Sequence, residues 1–127
     1  LYIASENGHE ECVTLLLGKE GINVNQVDSG GWTPLHEASE NGHAECVTLL
    51  LGKEDIDVNQ ADNDGWTPLH QASQNGHAEC VTLLLGKEGI DVNQANNNGA
   101  TPLYTASGKD HTECVTRQLG KEPLDVN

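Results

Sequence analysis

A period of 34 residues constrains this chain more than any other feature of its sequence. The segments 35–68 and 69–102 differ at six positions only, which are 37, 40, 55, 62, 64 and 66. A chain that repeats at this interval folds as a stack of similar units, because each unit can bury its apolar side only against its neighbours. The sequence therefore predicts an elongated solenoid and not a globule around one central core.

Each full unit opens with a nine-residue block, seen at 62–70 and in related form at 28–36 and 96–104. Asp62 and Gly65 predict a β-turn, because Asp can bond its own backbone further on and Gly can adopt a positive φ. Thr67 is a suitable helix N-cap, and Pro68 suits the first helical position, where no N–H is needed. The block therefore predicts a turn that leads directly into a helix.

Two helices are predicted in each unit. In the unit that begins with the block 28–36, the first covers residues 34–41 and ends at Gly42, a residue suited to the left-handed conformation. The second is too densely apolar to face solvent, which indicates a helix buried between neighbouring units. Ile56 and Val58 then return under the helices towards the next turn.

Several motifs recur in fixed order and carry a family resemblance. They are Gly-x-Thr-Pro-Leu-His at 31–36 and 65–70, Gly-His at 8–9, 42–43 and 76–77, and Asp-Val-Asn at 57–59, 91–93 and 125–127. In these motifs the whole chain resembles the ankyrin-repeat proteins. The resemblance implies an all-α ankyrin-repeat solenoid of about four 34-residue helix-turn-helix units with β-turn or hairpin projections. It divides a single domain, 1–127, into a truncated repeat 1–26, repeats 27–60 and 61–94, and a C-terminal capping repeat 95–127.

The C-terminal unit departs from the other copies. Arg117 and Gln118 replace leucine pairs that occur at 49–50 and 83–84. Polar residues at these positions favour an outer face that no further repeat covers. We therefore expect this unit to be a terminal cap, and the unit that begins at Leu1 to be truncated.

Net charge limits the classes of partner. Six basic and 20 acidic residues give a formal charge of −14, so electrostatics would oppose binding to a phosphate backbone. No apolar run reaches the roughly 18 residues of a membrane span, and no basic-then-apolar leader is present. We expect neither nucleic acid nor a membrane as a partner, and we expect a monomer.

The cysteines recur at one position of the repeat, three residues after a histidine. Equivalent residues of stacked helices lie about 8–10 Å apart. That separation is too large for two ligands of one zinc ion or for a disulfide. We predict that all four thiols, those of Cys12, Cys46, Cys80 and Cys114, are buried, reduced and metal-free. We also predict that the chain holds no cofactor. Reduced thiols favour an intracellular, cytoplasmic setting.

Catalytic chemistry has little support in the sequence. No nucleophile, base and orienting group can be assembled, and no glycine-rich phosphate loop is present. His36 and His70 resemble ligands in isolation, but the family resemblance implies that they bond back to the Thr at the helix start. We therefore predict that the chain is not an enzyme.

Candidate partner-binding residues are predicted on the turns and first helices. Trp32 and Trp66 occupy the turn position that varies in the family and faces its binding groove, and partly exposed Trp is a common anchor. Packing of each indole on the adjacent turn is the alternative. Acidic residues at 6, 28, 37, 40, 62 and 64 give way to amides at 71, 74, 96 and 98. The candidate set is Trp32, Trp66, Glu37, Glu40, Asp62, Asn63, Asp64 and Gln71.

The function implied by the resemblance is protein–protein recognition through the concave face of turn tips and first helices. The acidic groove favours a protein or peptide that contains Lys or Arg, although a solvated acidic face without a partner is the simpler interpretation. The alternative function is a passive spacer or an engineered consensus-like array, since duplication and design also produce near-identical units. All differing positions except 55 fall on the groove side, which favours binding.

Overall fold

The computed structural model describes residues 1–121, and its helices form two rows in this range. The first helices of the units are α1 (Tyr2–Glu6), α3 (Pro34–Glu40), α5 (Pro68–Gln74) and α7 (Pro102–Gly108). The second helices are α2 (Glu10–Leu17), α4 (Ala44–Leu51), α6 (Ala78–Leu85) and α8 (Thr112–Leu119). The last Asp-Val-Asn copy, at 125–127, lies outside the described residues.

Each helix packs against its partner in the same unit and against the equivalent helices of the adjacent units. Thus α3 contacts α1, α5 and α4, while α4 contacts α2 and α6. A continuous apolar layer fills the space between the rows and between the units, and its fully buried members include Leu35, Val47, Leu50, Leu69, Val81 and Leu84. Ile56 and Val58 are buried beneath the helices, as predicted. The solenoid expected from the 34-residue period is confirmed.

The turn at the start of each full unit is held by its first Asp or Asn side chain. Asp62 Oδ1 accepts the N–H groups of Asp64 and Trp66 at 2.8 and 2.9 Å. The Gly65 N–H donates to the Asp62 carbonyl at 3.0 Å, and the Asp62 N–H donates to the Trp66 carbonyl at 2.8 Å. The projection is therefore a closed turn, and no strand extends it within residues 1–121.

The predicted helix starts and stops are also confirmed. Thr67 Oγ1 accepts the His70 N–H at 3.3 Å, and Pro68 begins the helix. Asn41 caps the end of α3, and Gly42 follows with φ +73°. Each turn therefore delivers a short helix whose direction is set by local hydrogen bonds.

Adjacent turns are hydrogen-bonded to each other. The Asn63 N–H donates to the Gly30 carbonyl at 2.9 Å, and its side-chain amide donates to the Ser29 carbonyl at 3.0 Å. The Asn97 N–H repeats the first bond to the Asp64 carbonyl at 3.0 Å. We call residues 28–32, 62–66 and 96–100 the turn tips, and the turn tips together with α1, α3, α5 and α7 the groove face.

Arg117 and Gln118 do not form the outward polar face that the sequence suggests. Gln118 is fully buried, and its Nε2 donates to Ser73 Oγ at 2.8 Å. Arg117 donates to the Ala78 carbonyl at 2.9 Å and to Thr82 Oγ1. Both side chains contact the preceding unit, Gln118 through α5 and Arg117 through α6, against which α8 packs. These contacts therefore do not support the argument from polar residues, and the terminal cap stays a prediction.

The prediction of four buried thiols is wrong at one position. Cys46, Cys80 and Cys114 are free and buried, whereas Cys12 is free but exposed. In the later units this position packs near the second helix of the unit before it, and Cys46 lies beside Glu10 of α2. Within residues 1–121, no second helix precedes α2 to pack near Cys12.

Replacing Gly65 or Gly99 with Ala tests the bond between adjacent turns. Both glycines have positive φ, +83° and +80°, so each alanine variant should lose about 1–2 kcal/mol from backbone strain. A Cβ at Gly65 would lie 2.7 Å from Asn97 Oδ1 and 2.8 Å from the Asn97 backbone nitrogen. A Cβ at Gly99 would have no atom of the described residues within 4 Å. Gly65→Ala should therefore cost about 1–3 kcal/mol more than Gly99→Ala in urea unfolding. Equal losses would show that close contact between turns contributes nothing.

Candidate functional site

The two tryptophans lie half-buried on the turn tips, each against the histidine of the helix that follows. The ring centroids of Trp32 and His36 are 5.6 Å apart, and those of Trp66 and His70 are 5.4 Å apart. One side of each indole is thus supported while part of its surface stays open. The partial exposure predicted from the sequence is confirmed.

The histidines that support the indoles join one unit to the next. His70 Nδ1 accepts the Thr67 N–H at 3.1 Å, as in a reciprocal capping box. His70 Nε2 lies 2.8 Å from the Ala100 carbonyl, and His36 Nε2 lies 2.8 Å from the Trp66 carbonyl. A carbonyl only accepts, so Nε2 carries the proton and the ring is neutral. The predicted bond from each histidine back to Thr is confirmed. The bond to the next turn was not predicted from the sequence.

Burial keeps both imidazoles neutral. The pKa values of His36 and His70 lie below the usual value, chiefly because desolvation disfavours the imidazolium form. A proton on Nδ1 would also face the Thr N–H that Nδ1 now accepts. Protonation of either ring would therefore remove the bond that Nδ1 accepts from the Thr N–H at the helix start, whereas the Nε2 bond to the next turn would remain.

Two of the candidate residues are buried, which corrects the acidic rim expected from the sequence. Glu37 is 7% exposed, and its Oε1 lies 2.5 Å from the Tyr2 hydroxyl. The same hydroxyl donates to Asp28 Oδ2 at 2.6 Å, and this bond holds the pKa of Asp28 below its usual range. Desolvation raises the pKa of Glu37. Gln71, at the equivalent position, is 6% exposed, so neither residue offers a free surface to a partner.

The remaining polar candidates do lie at the surface. Asn63 and Asp64 are exposed, and Asp62 and Glu40 are half-buried. Burial, followed by the nearby charge of Glu6, raises the pKa of Glu40. The turn tips and first helices contain no Lys or Arg, so the exposed carboxylates beside Trp66 are not neutralised from within the groove face.

A cavity of about 490 Å³ opens at the C-terminal end of the groove face, beyond Trp66. Its walls include Trp66, Ala100, Tyr104 and Gly108, with Lys109 at one side. Tyr104 is 70% exposed. The volume lies within the range of about 300–1,000 Å³ that is usual for ligand sites.

Small residues at two positions of the last unit create this cavity. Ala100 stands where the earlier turns have Trp32 and Trp66, and Gly108 stands where α3 and α5 have Glu40 and Gln74. A Cβ built on Gly108 would have no atom of residues 1–121 within 4 Å. Sequence reasoning did not identify this site, although two small residues in one copy were a visible signal.

Comparison with known families agrees with this architecture. The family model for ankyrin repeats, which describes three copies, matches residues 1–96 and again residues 56–127. The chain belongs to the ankyrin-repeat family. A search of curated proteins found no match. Ankyrin repeats are generally protein–protein interaction modules, and the predicted resemblance and fold class are both confirmed.

This ankyrin array offers no metal centre in the part that the structure describes. No group of three or more His, Cys, Asp or Glu residues there could hold an ion. Burial raises the pKa of the Cys80 thiol to about 11, so this group stays protonated and is a poor ligand or nucleophile. Over residues 1–121, no helix has the length and apolar character needed to cross a bilayer.

Acid should weaken the array through its buried histidines. The pKa of a His in the unfolded chain is about 6.5, and the pKa of His70 in the folded chain is lower. As the pH falls below about 6.5, the unfolded chain therefore binds a proton that the folded chain refuses, and stability is lost. Between pH 7.5 and 5.5 this group should remove up to about 1.4 kcal/mol from the free energy of unfolding.

His70→Gln provides the matched comparison for this pH effect. Glu37 and Glu40 have raised pKa values, so their contribution to stability grows as the pH falls, and this opposing effect remains in both proteins. The variant should be less stable at pH 7.5 but should lose less stability than the parent on moving to pH 5.5. Parallel losses in urea unfolding would contradict a neutral, buried His70.

Proposed function

We propose that this ankyrin array binds a protein segment containing Lys or Arg across the first and second turn tips, which carry Trp32 and Trp66, on its concave face. The observation that carries the proposal is the pairing of supported, half-exposed indoles with uncompensated carboxylates. Trp66 lies between the turn that carries Asp62 and Asp64 and the cavity beyond it. A rigid aromatic anchor beside like charges favours a partner that combines apolar and cationic groups.

The two kinds of residue should act on different steps of binding. An indole that becomes buried in the complex contributes to the lifetime of that complex. Carboxylates at the rim attract a basic segment from a distance and contribute to the association rate, which salt reduces. Glu37 is excluded from this steering group because Tyr2 covers it.

The array supplies its own substitutions for separating these effects. Asp62 and Asp64 become Asn96 and Asn98 in the next copy, where Asn96 Oδ1 still accepts two turn N–H groups at 2.9 and 3.0 Å. Asp62→Asn with Asp64→Asn therefore removes charge without removing the turn. Trp66→Ala likewise reproduces Ala100.

Kinetic measurements on a partner isolated from the native source should separate the two variants. Trp66→Ala should mainly raise the dissociation rate, with a loss of about 2 kcal/mol or more in binding free energy. Asp62→Asn with Asp64→Asn should mainly lower the association rate, most clearly at low salt, where the Debye length is about 30 Å at 0.01 M. Surface plasmon resonance over a salt series measures both rates.

The opposite outcome would support the passive spacer. Association that is indifferent to salt, together with unchanged affinity after Trp32→Ala and Trp66→Ala, would show that this surface is not the binding face. A capture experiment with the double Trp variant as control also separates specific partners from proteins that adhere to any acidic surface.

We further propose that the protein acts as a monomer in a reducing, intracellular setting. The buried free thiols Cys46, Cys80 and Cys114 support this setting, since all three lie in the apolar layer between units. Thiol titration of the protein from its native source tests the oxidation state directly.

A further inference from the structure

We infer that the cavity beside Trp66 receives an aromatic side chain of the partner, an inference that rests on the proposed function. The shape of the cavity is the first support. Ala100 lies in its wall at the position where the two preceding turns carry an indole. The array therefore leaves open at its last turn the space that its own tryptophans fill at the earlier turns.

The walls of the cavity are suited to another ring. Trp32 and Trp66 contact the rings of His36 and His70 at 5.6 and 5.4 Å between centroids. The corresponding position in α7 is Tyr104, which is 70% exposed and whose own turn carries Ala100 instead of an indole. Aromatic pairs prefer centroid separations of about 4.5–7 Å. A ring inserted between Trp66 and Tyr104 would restore the contact that Ala100 lacks.

Charge separates this cavity from the acidic turn that precedes it. Among the residues that the structure describes, no carboxylate lines the cavity, and Lys109 lies at its side. The amide side chains of Gln74 and Asn98 provide neutral polar groups in its wall, which can bond an indole N–H or a phenol hydroxyl. Lys109 would repel a cationic side chain in this cavity. Asp62 and Asp64, on the preceding turn tip, would attract a cationic side chain there.

The bound segment is therefore bipartite. Its Lys or Arg residues lie near the carboxylates of the second turn tip, and its aromatic residue lies in the cavity formed at the third. Trp66 stands between the two sites and contacts both parts of the segment. Recognition then requires the two features in one segment at a spacing that reaches from one turn to the next.

Selection from a random peptide library on the full 127-residue chain tests this inference without knowledge of the natural partner. Enriched peptides should contain an aromatic residue together with Lys or Arg. Replacing that aromatic residue with Ala in a synthetic peptide should weaken binding at least about tenfold. The same change in a peptide residue outside the motif provides the control.

Ala100→Trp is the decisive variant, because it fills the cavity with the residue that the two earlier copies already hold. Ala100→Trp should reduce the affinity for the selected peptide at least about tenfold. Replacing the aromatic residue of the peptide with Ala should then reduce the affinity little further. Thr48→Trp adds an exposed indole to α4, on the other helix row, and should leave binding unchanged. Gly108→Gln, which copies Gln74, fills the cavity from the other side and should act like Ala100→Trp.

The possible failures are distinguishable. Peptides that carry Lys or Arg and bind in a salt-dependent manner, but that tolerate Ala100→Trp and Gly108→Gln, would overturn the aromatic cavity and leave the proposed function intact. Failure of any sequence to be enriched would overturn the proposed function and the cavity together. Circular dichroism melts of each variant exclude loss of binding through unfolding.

Discussion

A hydrogen bond from a buried imidazole to the carbonyl of the following turn is the contact on which the rest of this structure depends. His36 and His70 each cap their own helix through Nδ1 and reach the next unit through Nε2. One neutral ring thus sets both the start of a helix and its distance from the next turn. The turn tips continue this connection through the paired bonds of Asn63 and Asn97.

The same regularity explains where specificity is located. The histidines that bond to the next unit, His36 and His70, are identical in the segments 27–60 and 61–94, whereas the differing positions are mostly on the groove face. A fixed frame therefore carries a variable surface, and two small residues, Ala100 and Gly108, suffice to open a cavity in it. The proposed binding surface thus depends as much on positions where side chains are small as on those where they are large.

Much of this fold could be predicted from the sequence, because the signals lie within one unit. The turn at Asp62, the cap at Thr67 and the buried second helices depend on local chemistry and period. Contacts between units were predicted less well, since the direction of a side chain depends on which neighbour is present. This explains the burial of Glu37 under Tyr2, the inward direction of Gln118 and the exposure of Cys12. The cavity was missed for the same reason, because its walls come from two units.

Amide hydrogen exchange at the turn tips tests the central claim that adjacent units hold the groove face as one frame. Asn63 and Asn97 are exposed residues, yet their N–H groups donate to the preceding turn at 2.9 and 3.0 Å. The account predicts that both amides exchange far more slowly than in an unstructured peptide, at rates close to those of the buried helices. Exchange at the unstructured rate, with the helices still protected, would show that the turns move independently and would contradict the account.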